Sequence, residues 1–175
     1  WLHSGRLDIA LLFGADPEPG LNKRPLLDDS LVFVSSTTQS LADHLSLADI
    51  SKLPLVLPGQ EHGLRRIIDD ACAAQKLSLD IVAEIESLGS VKRATQAGLG
   101  STILPQVCLL EEIANGSLHC AHIDNNRLSR RVVCATSLTR PGSNAIAAVE
   151  TLVLEVIYDM VNSGTWPARW VGDTL

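Results

Sequence analysis

The feature that most constrains this chain is the alternation of short aliphatic runs with stretches of helical periodicity. Leu53-Pro54-Leu55-Val56-Leu57 is a continuous apolar run stopped by Pro58-Gly59. Gly63 to Lys76 then places Leu64, Ile67, Ile68, Ala71 and Cys72 at helical spacing, with Asp69 and Asp70 toward water. Leu79 to Ile85 reads as a strand, Ser87 as the cap of a helix running to about Ala97, and Ser101 to Leu104 as a strand closed by Pro105. A helix from about Gln106 to Ala114 ends at Asn115-Gly116, and Leu118 to Ile123 and Arg131 to Thr136 are the last two strands. Apolar strands separated by amphipathic helices predict an α/β fold with a largely parallel sheet.

The flanks follow the same grammar. Trp1-Leu2-His3-Ser4-Gly5 reads as the last turn of a helix with Gly5 as its stop, an expectation that places more of the fold upstream. Leu7 to Phe13 is a strand ended by Gly14, Pro25 to Ser36 a second β-rich stretch, and Leu47 to Ser51 a short helix capped by Ser46. A closing helix is expected from near Ser143 to about Asn162, stopped by Ser163-Gly164, with a polar tail over 163–175 behind it.

Composition narrows the function. With 14 Lys and Arg against 20 Asp and Glu, the net charge of −6 argues against a nucleic-acid surface, which needs clustered cations. Cys72, Cys108, Cys120 and Cys134 are widely spaced without a C-x-x-C pair, as expected of free thiols in a reducing cytosol. No apolar stretch approaches the ~20 residues that span a membrane. His119-Cys120-Ala121-His122 holds three metal-ligand types, but on a strand alternate side chains diverge, so no metal is expected. There is no G-x-S-x-G elbow and no His paired with a well-placed Ser or Cys, so neither a catalytic residue nor a cofactor is assigned.

Several landmarks together resemble a known family. Gly5-x-Leu7-Asp8-Ile9-Ala10, Leu47-Ala48-Asp49-Ile50, Leu53 to Pro58 and Gly63-Leu64-Arg65 with Ile68-Asp69 are similar to successive segments of LysR-type effector domains. The most specific stretch is Glu86-Ser87-Leu88-Gly89-Ser90-Val91 followed by Ala97 to Pro105, similar to that family's strand-Ser-helix unit ending in G-L-G-x-x-hydrophobic-L-P. Glu112-Ile113-x-x-Gly116-x-Leu118 matches the next landmark. The resemblance covers residues 5 to 160 and implies two Rossmann-like lobes joined by crossover strands, like a type 2 periplasmic binding protein. One regulatory lobe would comprise 1–54 plus 135–162, the other 55–134. It also implies a small-molecule effector in the cleft between them, a homodimer or homotetramer, a cytoplasmic location, and DNA contact only through an N-terminal helix-turn-helix domain that this sequence lacks. A solute-binding protein of a transporter is the alternative on the same fold. An enzyme is the third reading, prompted by Thr139-Arg140-Pro141, which is similar to a T-R-F motif of prephenate dehydratases with the Phe replaced.

The candidate ligand residues lie at strand ends. Parallel strands present their carboxyl ends and the following helix N-termini to one edge, where unpaired amides favour an anion. Pro58, Gly59 and Gln60 offer little side-chain bulk there, and His62, Arg65 and Arg66 add positive charge. The same loop also reads as an ordinary strand-to-helix turn with solvated arginines; the resemblance favours the ligand role. Ser87 caps its helix, faces the cleft, or does both. Thr102 directs its hydroxyl to the cleft or is simply a β-branched strand residue. Phe13 and Gly14 line the cleft from the other lobe or are a core Phe beside a turn. Gly98-Leu99-Gly100 lies after a helix and before a strand, the wrong context for a dinucleotide loop, and reads as a helix stop. The expected ligand is a small organic anion or an amino-acid-like metabolite.

Overall fold

A computed structural model describes residues 1–38, 42–123, 128–139 and 142–173. In chain order the elements are β1 (Ile9–Phe13), β2 (Leu21–Ser36), β3 (His44–Leu45), α1 (Leu47–Ile50), β4 (Pro54–Leu57), α2 (Gly63–Ala74), β5 (Asp80–Glu84), α3 (Leu88–Gln96) and β6 (Thr102–Pro105). A 3-10 turn over Gln106–Leu109 leads into α4 (Leu110–Ala114), followed by β7 (Leu118–Ile123), β8 (Ser129–Ser137), α5 (Asn144–Asn162) and β9 (Ala168–Trp170). The chain divides into two compact units, residues 1–29 with 130–175, and residues 30–129.

The division falls earlier than the sequence reading placed it. Residues 30–54 belong with the middle unit because the second half of β2 is built into it: Leu31 to Val34 pair antiparallel with β6, and Val32 to Ser36 with β7. These residues are buried, and Leu31 to Val34 belong to the core of the middle unit. The other boundary moves from 134/135 to 129/130, since β8 pairs with β1 from Val132 to Thr136.

In the middle unit β4 pairs parallel with β5, Leu55 bridges Ser101 in parallel, and β3 pairs parallel with β7. The sheet is therefore mixed rather than largely parallel. The physical reason is β2, which enters as a continuous strand without a helical crossover and meets β6 and β7 head to tail. Its core is aliphatic, with Phe33, Leu55, Val56, Leu57, Ile68, Val91, Ile103, Leu104 and Leu109 fully buried. Burial of each such side chain contributes about 1.5–3 kcal/mol. The helix α2 forms because Leu64, Ile68 and Cys72, one turn apart, reach this core, while His62 Nδ1 accepts the Leu64 N–H at 3.1 Å as its cap. Gly98, at φ +79, stops α3, as the sequence implied.

In the flanking unit β1 pairs with β8, and β9 pairs with β2 over Leu27–Asp29. Of the segment expected to be a polar tail, residues 163–173 are a structural part of this unit: Trp166, Ala168 and Trp170 pack against Leu26, Leu27, Leu154 and Ile157. Large apolar rings override the polar residues around them. The tail also satisfies buried charge. Asp29 is fully buried and accepts from Arg130 Nε at 2.7 Å and from Trp166 Nε1 at 3.3 Å. Its neighbour Asp28 accepts from Arg131 and Arg169. Near the N-terminus Gly5 has φ +71, with Arg6 N–H donating to the Trp1 carbonyl at 3.1 Å, the geometry of a helix stop.

Removing Asp29 strands the Arg130 guanidinium in a nearly dry site. Asp29→Ala is expected to cost about 3–5 kcal/mol, measured by denaturant unfolding followed by far-UV circular dichroism. Removing Asp173, an exposed partner of Arg24 at 3.3 Å, should leave the unfolding midpoint unchanged.

Candidate ligand-binding edge of the middle unit

The carboxyl ends of β4 and β5 lie side by side. Leu57 is in register with Glu84, and the Ile85 N–H donates to the Leu57 carbonyl at 2.9 Å, so the chain leaves both strands together as Pro58-Gly59-Gln60 and Glu86-Ser87. Each exit leads directly into a helix N-terminus, α2 after His62 and α3 after Ser87.

Arg65 fixes this edge from beneath. Its side chain is 5 % exposed, and its Nη1 donates to the Pro58 carbonyl at 3.1 Å and to Glu84 Oε1 at 2.6 Å, while Nε donates to Asp69 at 3.0 Å. Hydrogen bonds to both carboxylates hold its guanidinium charged, above its ordinary value, against the opposing effect of burial. One residue thus ties the loop after β4, the end of β5 and the second turn of α2. It is not a solvated arginine, and its charge is already matched. His62 is likewise engaged, with Nδ1 as the helix cap. Arg66 is exposed.

Pro58 and Gly59 are buried, whereas Gln60, Glu86 and Ser87 are exposed. Gly59 is buried by a carboxylate: a Cβ built on it would lie 2.2 Å from Glu86 Oε1. A side chain at position 59 would require the Glu86 carboxylate to swing away. Ser87 occupies the N-cap position of α3 by backbone conformation, yet its side chain makes no capping hydrogen bond. The expectation that it caps the helix is therefore corrected. Its Oγ lies 3.8 Å, and Arg93 Nη1 3.9 Å, from where a Cβ on Gly89 would stand. Arg93 also donates to Ser90 Oγ at 3.2 Å. Around this edge lie the Glu86 carboxylate, against Gly59, and the Ser87 hydroxyl and Arg93 guanidinium, both near Gly89.

The scan against protein families matches the LysR substrate binding domain over residues 1–157. The chain belongs to this family. Among curated proteins it is 30 % identical to the HTH-type transcriptional regulator BbuR of Bordetella bronchiseptica, over 94 % of this chain and 51 % of that protein. It thus spans about half the length of that relative. Among solved structures it resembles the effector binding domain of QuiR in complex with shikimate, with a TM-score of 0.76, 21 % identity, and coverage of 89 % of this chain and 74 % of that one. It also resembles the Synechocystis PCC6803 CcmR regulatory domain in complex with 2-PG, with a TM-score of 0.78, 20 % identity, and coverage of 89 % and 76 %. The fold is the type 2 periplasmic-binding-protein-like fold of LysR effector-binding domains, and the transporter reading is not favoured.

Of the residues singled out in this LysR domain, Pro58, Gly59, Gln60 and Ser87 come together at one edge. Thr102, on β6 opposite Val34, is fully buried, and its Oγ1 has no hydrogen-bond partner among the described residues. Phe13 and Gly14 belong to the flanking unit. Phe13 is 60 % exposed with the Arg130 guanidinium 3.8 Å from its ring centre, so it is not a core residue. Gly14 has φ +99 and donates to the Arg131 carbonyl. The residues sequence reasoning missed are Glu86 and Arg93. Both flank Ser87, at −1 and +6, and the register of β5 with β4 is what brings Glu86 onto Gly59. Arg140 and Pro141 of the T-R-P segment lie outside the described residues.

The remaining candidates carry no such arrangement. Among the described residues no group of three His, Cys, Asp or Glu side chains is placed to hold a metal, and no helix is long and apolar enough to cross a membrane. The four cysteines are free, and burial pushes the Cys120 and Cys134 thiols up to about 11. At pH 7 both are neutral and poor nucleophiles. A cavity of about 140 Å³ in the flanking unit is bordered by Leu7 and Asp8, Thr136 and Ser137, and the first turns of α5 from Ser143 to Glu150.

Arg65→Ala removes the donor of the Pro58 carbonyl, a loss of about 1–3 kcal/mol. Amide exchange over residues 59–62 is expected to accelerate while that of β2 and β7 stays as in the parent chain. Unchanged exchange in the loop would show that Arg65 does not hold it.

Proposed function

We propose that this chain is the sensing part of a transcription regulator and that its effector binds at the edge formed by Pro58, Gly59, Gln60 and Ser87. The observation that carries the reading is Ser87: at the mouth of α3, on the exit of β5 beside that of β4, its hydroxyl is exposed and free of the capping role that would otherwise explain it. A serine that does not cap saves its helix nothing there, and a hydroxyl beside unpaired helix amides is a ready partner for a polar ligand. The related regulatory domains of QuiR and CcmR, in complex with shikimate and 2-PG, support a small polar metabolite.

In the complete protein the effector shifts the balance between two arrangements of the regulator, which requires a difference in affinity for them of about 1–3 kcal/mol. DNA is contacted by a helix-turn-helix domain outside this chain, the regulator acts in the cytoplasm as a homodimer or homotetramer, and no chemical turnover of the effector takes place. The regulators among the curated relatives support this reading over an enzyme.

A thermal-shift screen of amino acids and small carboxylates on the complete domain tests it. The compound that raises the melting temperature should lose about tenfold in affinity on Ser87→Ala, the value of one charge-assisted hydrogen bond. An unchanged response would remove Ser87 from the site.

A further inference from the structure

The loop that leaves β4 ends in a residue whose hydrogen bond depends on its own charge. His62 stands at the N-cap of α2, and its Nδ1 accepts the Leu64 N–H at 3.1 Å. Leu64 is the second residue of the helix, where a backbone amide has no carbonyl within the helix to reach, so the imidazole is what satisfies it. His62 also closes the turn before the helix, its own N–H donating to the Gly59 carbonyl at 3.0 Å. Serine, threonine and asparagine at an N-cap accept whatever the pH. A histidine accepts only while one ring nitrogen is bare, and its charge change ordinarily falls between about pH 5 and 8. The imidazolium carries a proton on both nitrogens, so no rotation of the ring restores the bond.

The charges around His62 do not replace the lost acceptor. The first turn of α2 has no acidic residue; it carries Arg65, tied to Pro58, Asp69 and Glu84, and the exposed Arg66. Glu61, just before the cap, is exposed, and Glu86 lies against Gly59. An imidazolium here meets the positive end of the helix dipole and both guanidiniums, opposed by exposed carboxylates.

We infer that His62 is a pH-dependent latch on the turn over 59–62 and the first turn of α2, closed while its ring is neutral and open once the ring is protonated. The bond and the second proton cannot share Nδ1, so the stabilisation is present at higher pH and is lost as the pH falls. Arg65 donates to the Pro58 carbonyl in both states, which confines the loosening to the residues that follow. The latch concerns the loop and its helix alone and does not rest on the effector reading.

The test uses the ¹⁵N-labelled chain between about pH 8 and 5. Long-range ¹⁵N–¹H spectra follow the His62 ring, and exchange of the Leu64 amide, divided by its unstructured rate at each pH, follows the cap. The neutral ring should carry its proton on Nε2, and Leu64 protection should fall about fivefold as the ring is protonated, the worth of one helix cap. The Ile68 amide, inside α2, should keep its protection. In His62→Asn, with folding verified by unmoved resonances elsewhere, Leu64 protection should stay level across the range, because the amide oxygen accepts throughout. A neutral ring protonated on Nδ1, a ring still neutral at the acid end, Leu64 protection that does not follow the ring, or an equal fall in His62→Asn each overturns the latch.

Discussion

A single buried guanidinium organises the strand-exit edge of the middle unit. Arg65 lies under the exits of two parallel strands and gives each a donor, one to the Pro58 carbonyl and one to Glu84, while its own helix supplies Asp69 as counter-charge. Both carboxylates are nearly half exposed, so the pairing is partly solvated and its net electrostatic worth is modest. Its value is geometric. A planar fork with several donors can hold three segments in one arrangement, which a lysine cannot. With the loop so fixed, Gly59 stays buried, Glu86 can lean on it, and Ser87 is left at the opening of α3 without a capping bond.

The flanking unit solves a similar problem differently. There Asp28 and Asp29, at the end of its share of β2, are covered by Arg130 and Arg131 from β8 and by Arg169 and Trp166 from the C-terminal segment. The family match ends at residue 157, so Trp166, Arg169 and β9 lie beyond the part of the chain that the family model covers. Trp166, Ala168 and Trp170 nonetheless pack, partly buried, against the core of this unit. Charged groups that must lie beside a buried strand are paired before they are buried.

Much of this was legible in the sequence. The helix of Gly63 to Ala74 follows from the spacing of Leu64, Ile68 and Cys72, β4 from an uninterrupted aliphatic run, and the stop of α3 from Gly98, because these features depend on neighbours a few residues away. What depends on partners distant in sequence was not legible. The mixed sheet arises from β2 lying between β6 and β7; the engagement of Arg65 depends on Glu84, nineteen residues on. The tail read as polar because its rings are few, although Trp166 and Trp170 bury against α5 and β2. For the proposed site, Pro58 to Gln60 and Ser87 follow from strand-end logic, while the position of Glu86 against Gly59 depends on the register of β5 with β4.

The central claim is that the ligand is read at the strand-exit edge of the middle unit. Hydrogen–deuterium exchange of the domain with and without a stabilising metabolite tests it most directly. Slower exchange confined in this unit to residues 59–62 and 87–91 is the expected result. Protection at Leu7, Asp8 and the first turns of α5, around the cavity of the flanking unit, with no change at residues 59–62 and 87–91, would contradict it.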